Sequence, residues 1–237
     1  MVGSARSDEV VLRVATFNPR HGAGALGLVW HRRLLDSCRS LDADVLALQE
    51  VDRHVVRSWF RDQPAAVARA LGMQHVAART KRTPVGGEQC NALCARGAFA
   101  DVEVCELPRR EGDERRIGLV ARVALGGGRV TVACTHLQHR AGNAVGQLHA
   151  VLEVLERRPV PRLLAGDFNL EPPDVEPVLA AHGFRAVPSG ATSPAHAPRR
   201  RIDYIAVDDA FSIVTSRIHQ PLVGDHCPVV ADLTLRG

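Results

Sequence analysis

Apolar residues in this chain come in short runs that end on polar ones. Alternating or continuous apolar stretches predict strands at residues 10–17, 45–49, 74–78, 98–107, 117–125, 129–135, 162–165, 202–207, 212–218 and 229–235. The stretch holding Cys90 and Cys94 is also expected to be extended. In ALGGGRVTVAC the alternation is broken by Gly126, Gly127 and Gly128, which predicts a hairpin turn. Helical spacing appears three times. Residues 28–41 carry Leu34, Leu35, Cys38 and Leu41; residues 64–71 are Ala-rich; residues 143–157 place Val145, Leu148, Leu152 and Leu155 on one stripe behind Asn143 as a cap. Each helix is followed by a strand, and hairpins occur as well as crossovers. The pattern predicts an α/β (α+β) fold, a four-layer α/β/β/α sandwich in which helices flank two packed mixed sheets.

No Ser/Gly/Pro linker or shift in composition divides the 237 residues, so a single domain over 1–237 is expected. A hydrophobic content of 46% with 24% charged residues supplies a sizeable core and argues against extended disorder. The N-terminal MVGSARSDEV does not resemble a signal peptide and no window approaches a membrane span, which makes a cytoplasmic location the expectation. Six cysteines are too sparse for a disulfide framework and agree with a reducing compartment. On one strand Cys90 and Cys94 would stand ~13 Å apart, at ~3.3 Å per residue, too far to share a metal; buried free thiols are expected. The net charge of +4 rests almost wholly on arginine, with Lys81 the only lysine. Arginine suits phosphate recognition, yet charge alone names no partner.

The polar residues that end or open the apolar runs carry the chemistry. VATFN ends on Asn18, DVLALQE on Glu50, VTVACTH on His136, and LLAGDFN on Asp167 and Asn169; Asp203 opens the strand in RRRIDYIAV, and Asp225 and His226 precede the last one. Carboxylate and amide oxygens are what a hard cation such as Mg²⁺ prefers, and Asn18, Glu50 and Asp225 offer such a set. Imidazoles beside carboxylates move protons near neutral pH. Each residue alone has a plainer explanation: a strand-end surface group, a turn at Asp225, an Asx turn in GDFN. Six such placements in one chain are not explained that way.

The series TFNPRHG, LALQEVDR, CNALCAR, ERRIGL, CTHL, GDFN, RIDYI and GDHCPV resembles the endonuclease/exonuclease/phosphatase family, the metal-dependent, DNase I-like phosphoesterases, over nearly the whole chain. The resemblance implies that Asn18 and Glu50 hold Mg²⁺, or Mn²⁺ in its place, with Asp225 near it. It makes Asp167 the residue that orients or deprotonates the attacking water and Asn169 a neighbour on the phosphate or the metal. His226, held by Asp203, would contact the phosphoryl oxygen or transfer a proton, with His136 as the second histidine. Asn91 in CNAL fits the pattern, and Arg116 matches more weakly.

The chain departs from the family pattern in places. Pro19 follows Asn18 and biases it toward extended backbone. Arg20 replaces an acid found in abasic-site endonucleases, which favours a phosphate contact over a second metal. The final motif is GDH where Ser-Asp-His is common.

Arg20, His21, Arg116 and the Arg199, Arg200, Arg201 run beside Asp203 predict a strongly anionic substrate: nucleic acid, nucleotide, phospholipid or another small phosphodiester. Aromatic residues are 4% of the chain, with no stacking series, so Trp59 and Phe60 are the one pair that could meet a base or an acyl chain, at least one of them being exposed. The expected activity is metal-assisted in-line hydrolysis of a phosphate ester, with a diester favoured over a monoester and no obligate protein partner evident. The competing readings are a catalytically silent binding protein of the same fold and a member recruited to non-phosphate biosynthetic chemistry.

Overall fold

The computed structural model describes residues 11–24, 26–125 and 128–236. Residues 1–10, which include the segment read for a signal peptide, and Gly126 and Gly127 of the expected turn lie outside them. In chain order the elements are β1 (Leu12–Phe17), α1 (His31–Ser40), β2 (Val45–Arg53), α2 (Gln63–Leu71), β3 (Gln74–Arg82), β4 (Glu88–Ala95), β5 (Phe99–Glu106), β6 (Ile117–Leu125), β7 (Gly128–His136) and α3 (Ala141–Glu156). There follow β8 (Arg162–Asp167), α4 (Pro172–Ala181), β9 (Phe184–Ala186), β10 (Asp203–Asp208), β11 (Phe211–Ile218) and β12 (Val229–Leu235).

Two six-stranded sheets result, ordered β11-β12-β1-β2-β4-β3 and β5-β6-β7-β8-β10-β9. Each is mixed: β1 and β2 pair in parallel across α1, β7 and β8 in parallel across α3, and the other pairs are antiparallel. The strand period of two decides which layer each side chain enters. Val14, Val45 and Ala47 meet Val132, Leu163 and Ile205 between the sheets. Their neighbours Ala15, Phe17, Leu46 and Leu48 pack on Leu34 and Val67 of the outer helices, as Leu164 and Tyr204 pack on Leu148, Leu152 and Leu179 on the other side. The four-layer α/β/β/α arrangement follows from these three clusters.

Cys90 and Cys94 lie on one face of β4 among the helix-side core, and burial pushes both thiols up to about 12. All six cysteines are free. Two expectations about helices need correction. α3 starts at Ala141 with Arg140 as its N-cap, and Asn143, inside the first turn, instead donates to Asp113 Oδ2 at 2.6 Å. α4 was not anticipated; a helix accepts proline in its first turn, as at Pro172 and Pro173, where the missing N–H has no partner to lose. Among the described residues no helix is long and apolar enough to cross a membrane.

Candidate active site

The carboxyl ends of the two parallel pairs face each other, and the polar residues there come together. Register explains one half of the site. His136 ends β7 opposite Asp167 of β8, and Asp203 opens β10 opposite the same Asp167, so three adjacent strands present imidazole, carboxylate and carboxylate in a row. Gly166 permits the close approach: a Cβ there would lie 2.1 Å from the Thr135 carbonyl oxygen. The other half comes from the first sheet. Asn18 follows β1, and Glu50 sits in a bulge of β2, with φ 53°, where the register to β4 slips between Leu48 and Val51. The bulge re-aims Glu50 toward the site.

Asn18 joins the halves. Its Nδ2 donates to Asp167 Oδ2 at 3.1 Å and to Glu50 Oε1 at 3.3 Å, while its Oδ1 accepts the Arg20 N–H at 3.0 Å. Asp167 Oδ1 accepts the Asn169 N–H at 3.0 Å, so GDFN does form an Asx turn, and that turn fixes the carboxylate. Asn169, with φ 54°, spends its own Nδ2 on the Leu137 carbonyl.

The electrostatics divide the titrating groups. Burial, with the Asp203 carboxylate next to it, raises the Asp167 carboxyl to about 7, against the pull of His226 and the Asn18 amide. Burial pulls the His226 imidazole down, but Asp203, whose oxygens lie 2.9 and 3.1 Å from Nδ1, and Asp167 outweigh it and lift His226 to about 10. Nδ1 is thus committed to Asp203 and Nε2 remains for a ligand. His136 goes the other way: burial, then Arg116 and His226, hold it well below its ordinary value, so it is neutral. Its Nε2 stands 3.4 Å from Asp167 Oδ2 and its Nδ1 3.9 Å from Glu50 Oε1.

These groups open on a cavity of about 840 Å³ lined by Glu50, His136, Asp167, Asn169, His226, Arg116 and His21. Arg116 is 6% exposed; Nη2 reaches Glu114 at 3.2 Å, whereas Nε is buried with no partner among the described residues. Burial lowers its pKa from the ordinary arginine value. A buried guanidinium with spare donors is an anion-binding group. His21, held in left-handed backbone with φ 49°, is pushed down to about 4 by burial and Arg57.

The remaining expected residues lie elsewhere. Asn91 is fully buried in β4 behind the Glu50 bulge, with both amide atoms unpartnered among the described residues. Arg20 and Asp225 pair with each other at 3.3 Å, and neither lines the cavity. Arg201 stacks over Tyr204 at 4.9 Å and donates to the Val187 carbonyl, and Arg200 pairs with Glu171 at 2.7 Å, so the arginine run turns away from the cavity.

The cavity also includes residues the sequence did not single out. Gln89 donates to Glu50 Oε2 at 3.3 Å, and Lys81, Glu114 and His139 also line the cavity. Gln89 gave no signal because it is a polar residue within a strand, where alternation alone assigns it to a solvated face.

The donor chemistry fits a divalent cation at Glu50. Its oxygens meet only the amides of Asn18 and Gln89 and the neutral His136, and among the described residues no arginine or lysine pairs with it. A cavity-facing carboxylate is a hard donor of the kind Mg²⁺ takes, and Asn18 would join Glu50 on a cation with its amide turned so that Oδ1, which here accepts the Arg20 N–H, faces Glu50. Asp167, Asp203 and His226 also offer atoms within 4.8 Å of one another. There, Asp203 already spends both oxygens on His226 Nδ1, at 2.9 and 3.1 Å.

With this geometry in view, comparison with known proteins gives the family. The sequence matches the Endonuclease/Exonuclease/phosphatase family over residues 15–226, and the chain belongs to that family, whose members hydrolyse phosphoester bonds. A search of curated proteins found no significant match. Among solved structures, an endonuclease/exonuclease/phosphatase protein from Beutenbergia cavernae is 25% identical, with a TM-score of 0.78 covering 96% of this chain and 72% of that one. The human Nocturnin catalytic domain with bound sulfate is 19% identical, with a TM-score of 0.69 over 96% of each chain. A humanized D. rerio TDP2 is 19% identical, with a TM-score of 0.74 over 94% of this chain and 99% of that one.

Proposed function

We propose that the protein is a Mg²⁺-dependent phosphoesterase that hydrolyses a phosphodiester by in-line attack of water, with Mn²⁺ able to substitute. The observation that carries this reading is the convergence, on one cavity, of a buried carboxylate raised to about 7, an imidazolium fixed by Asp203, and the guanidinium of Arg116.

Arg116 anchors the phosphate. Asp167, fixed by Asn18 and the Asn169 N–H, orients a water and takes its proton as the new P–O bond forms and the ester P–O bond breaks. A carboxyl near 7 is matched to that task at neutral pH. His226, protonated through Asp203, turns Nε2–H to the phosphoryl oxygens, where the developing charge is strongest. Neutral His136 donates or accepts beside Asp167 without adding charge. Asn18 and Glu50 would hold the cation, which neutralises phosphoryl charge when bound.

The test is release of nitrophenol from bis(p-nitrophenyl) phosphate and p-nitrophenyl phosphate with Mg²⁺, Mn²⁺ or EDTA. The diester should turn over faster, EDTA should stop it, and Glu50→Gln should shift the Mg²⁺ titration to higher concentration. Turnover unaffected by EDTA would refute the metal dependence.

A further inference from the structure

Two loops line one side of the cavity, residues 54–62 after β2 and the 83–87 turn joining β3 to β4, and residues 26–30 follow the cavity-lining His21 on the way into α1. The sheet order places them side by side, because β1 and β2 are parallel and the start of β4 pairs with the end of β2. Contacts at or beside their bases link them. Gln63 donates to the His21 carbonyl at 2.8 Å, and a Cβ on Gly87 would lie 2.3 Å from the His54 carbonyl oxygen.

Their tips are apolar and exposed: Leu26 at 89%, Val85 at 77%, Trp59 at 76% and Phe60 at 61%, with Leu28 and Trp30 beside them. Trp59 and Phe60 both hold left-handed backbone, with φ 57° and 55°, which bulky side chains seldom adopt. Backbone hydrogen bonds within the loop brace this conformation. His54 N–H bonds the Arg61 carbonyl, Trp59 N–H the Val56 carbonyl and Phe60 N–H the Val55 carbonyl. A strained, braced loop that holds two aromatic rings in solvent is a feature in search of an apolar phase.

Charge is concentrated at the same end. Residues 20–33, 53–62 and 79–88 hold nine arginines and lysines against two acids, an excess of seven in a chain whose net charge is +4. The rest of the chain is therefore net negative by three. Both acids are engaged, Asp62 as the cap of α2 and Glu88 with Arg53 and Arg79. Arg57, Arg20 and Lys81 are balanced by Asp52, Asp225 and Glu114, whereas Arg32, Arg33, Arg61 and Arg82 have no acidic partner among the described residues.

We propose that this end of the molecule docks on an anionic phospholipid bilayer, with the loop tips entering the interface and the arginines meeting lipid phosphates. A headgroup phosphoester then faces the cavity, which rests on the phosphoesterase reading. Aromatic and aliphatic tips on separate loops, flanked by arginines, suit an interface that is apolar inside and anionic at its surface. Nucleic acid has the charge but offers no apolar phase for Leu26, Leu28 and Val85.

The two tryptophans of the chain, Trp30 and Trp59, both lie on this surface and supply the readout. Vesicles of phosphatidylcholine containing phosphatidylserine should shift Trp emission to the blue, and pure phosphatidylcholine should shift it much less. Trp59→Ser with Phe60→Ser should weaken vesicle partitioning by at least ~10-fold. Arg32→Gln with Arg33→Gln should remove the preference for phosphatidylserine. All of these variants should hydrolyse a soluble nitrophenyl ester as wild type does. Binding is read without turnover, so an inactive protein that still partitions would refute only the phosphoesterase reading. Equal partitioning of wild type and the aromatic variant would overturn the docking surface. So would loss of single-stranded DNA binding in these variants with vesicle binding unchanged, or a wild-type dimer that the aromatic substitutions dissociate.

Discussion

Asn18 Nδ2 donates to Asp167 Oδ2 across 3.1 Å, and this one bond ties the carboxyl end of β1 in the first sheet to that of β8 in the second. Both groups are buried, so neither can exchange its partner for water. Asn18→Ala should therefore cost ~1–3 kcal/mol in chemical denaturation, the desolvation cost of an under-satisfied buried carboxyl. It should also raise the Asp167 pKa further and lower turnover at neutral pH. Wild-type stability and rate in this variant would show that the sheets need no such tie.

The His226–Asp203 pair sets a pH dependence whose sign is fixed. The folded imidazole is raised from 6.5 to about 10, so the stability it contributes is complete below about pH 6.5 and is lost as pH rises toward 10. In metal-free protein the His226 ring should titrate on the alkaline side by NMR, and Asp203→Asn should move that titration strongly down. An unchanged titration in Asp203→Asn would remove Asp203 as the cause.

Gly166→Ala tests the packing beneath the site. The added methyl would meet the Thr135 backbone, which cannot yield without parting β7 from β8. Destabilisation on the order of 3 kcal/mol is expected, together with reduced activity because Asp167 is the next residue. A variant of wild-type melting temperature would show that the strands have slack.

Much of this was legible in the sequence, for reasons that differ by residue. His136, Asp167 and Asp203 could be found because a strand ending on a polar group shows itself against an apolar run, and their neighbouring registers then bring them together. Glu50 was legible as a strand-end carboxylate, but the bulge that aims it was not. Arg116 and Arg201 looked alike as basic residues near strand starts; only packing sends one into the cavity and the other onto Tyr204. Asp225 read as a cation ligand, whereas in the fold its carboxylate meets Arg20, a pairing of exposed side chains that no local pattern encodes. The exposure of Trp59 and Phe60 followed from their Arg- and Asp-flanked loop, while the left-handed backbone beneath them left no trace in composition.

The most direct test of the catalytic account is hydrolysis of bis(p-nitrophenyl) phosphate by wild type and Asp167→Asn with saturating Mg²⁺, alongside inorganic phosphate binding to both. Asp167→Asn keeps the shape and removes the proton acceptor. The account predicts a rate lower by ~10²–10⁴-fold with phosphate affinity changed only a few-fold. A variant that hydrolyses the diester at the wild-type rate would contradict it.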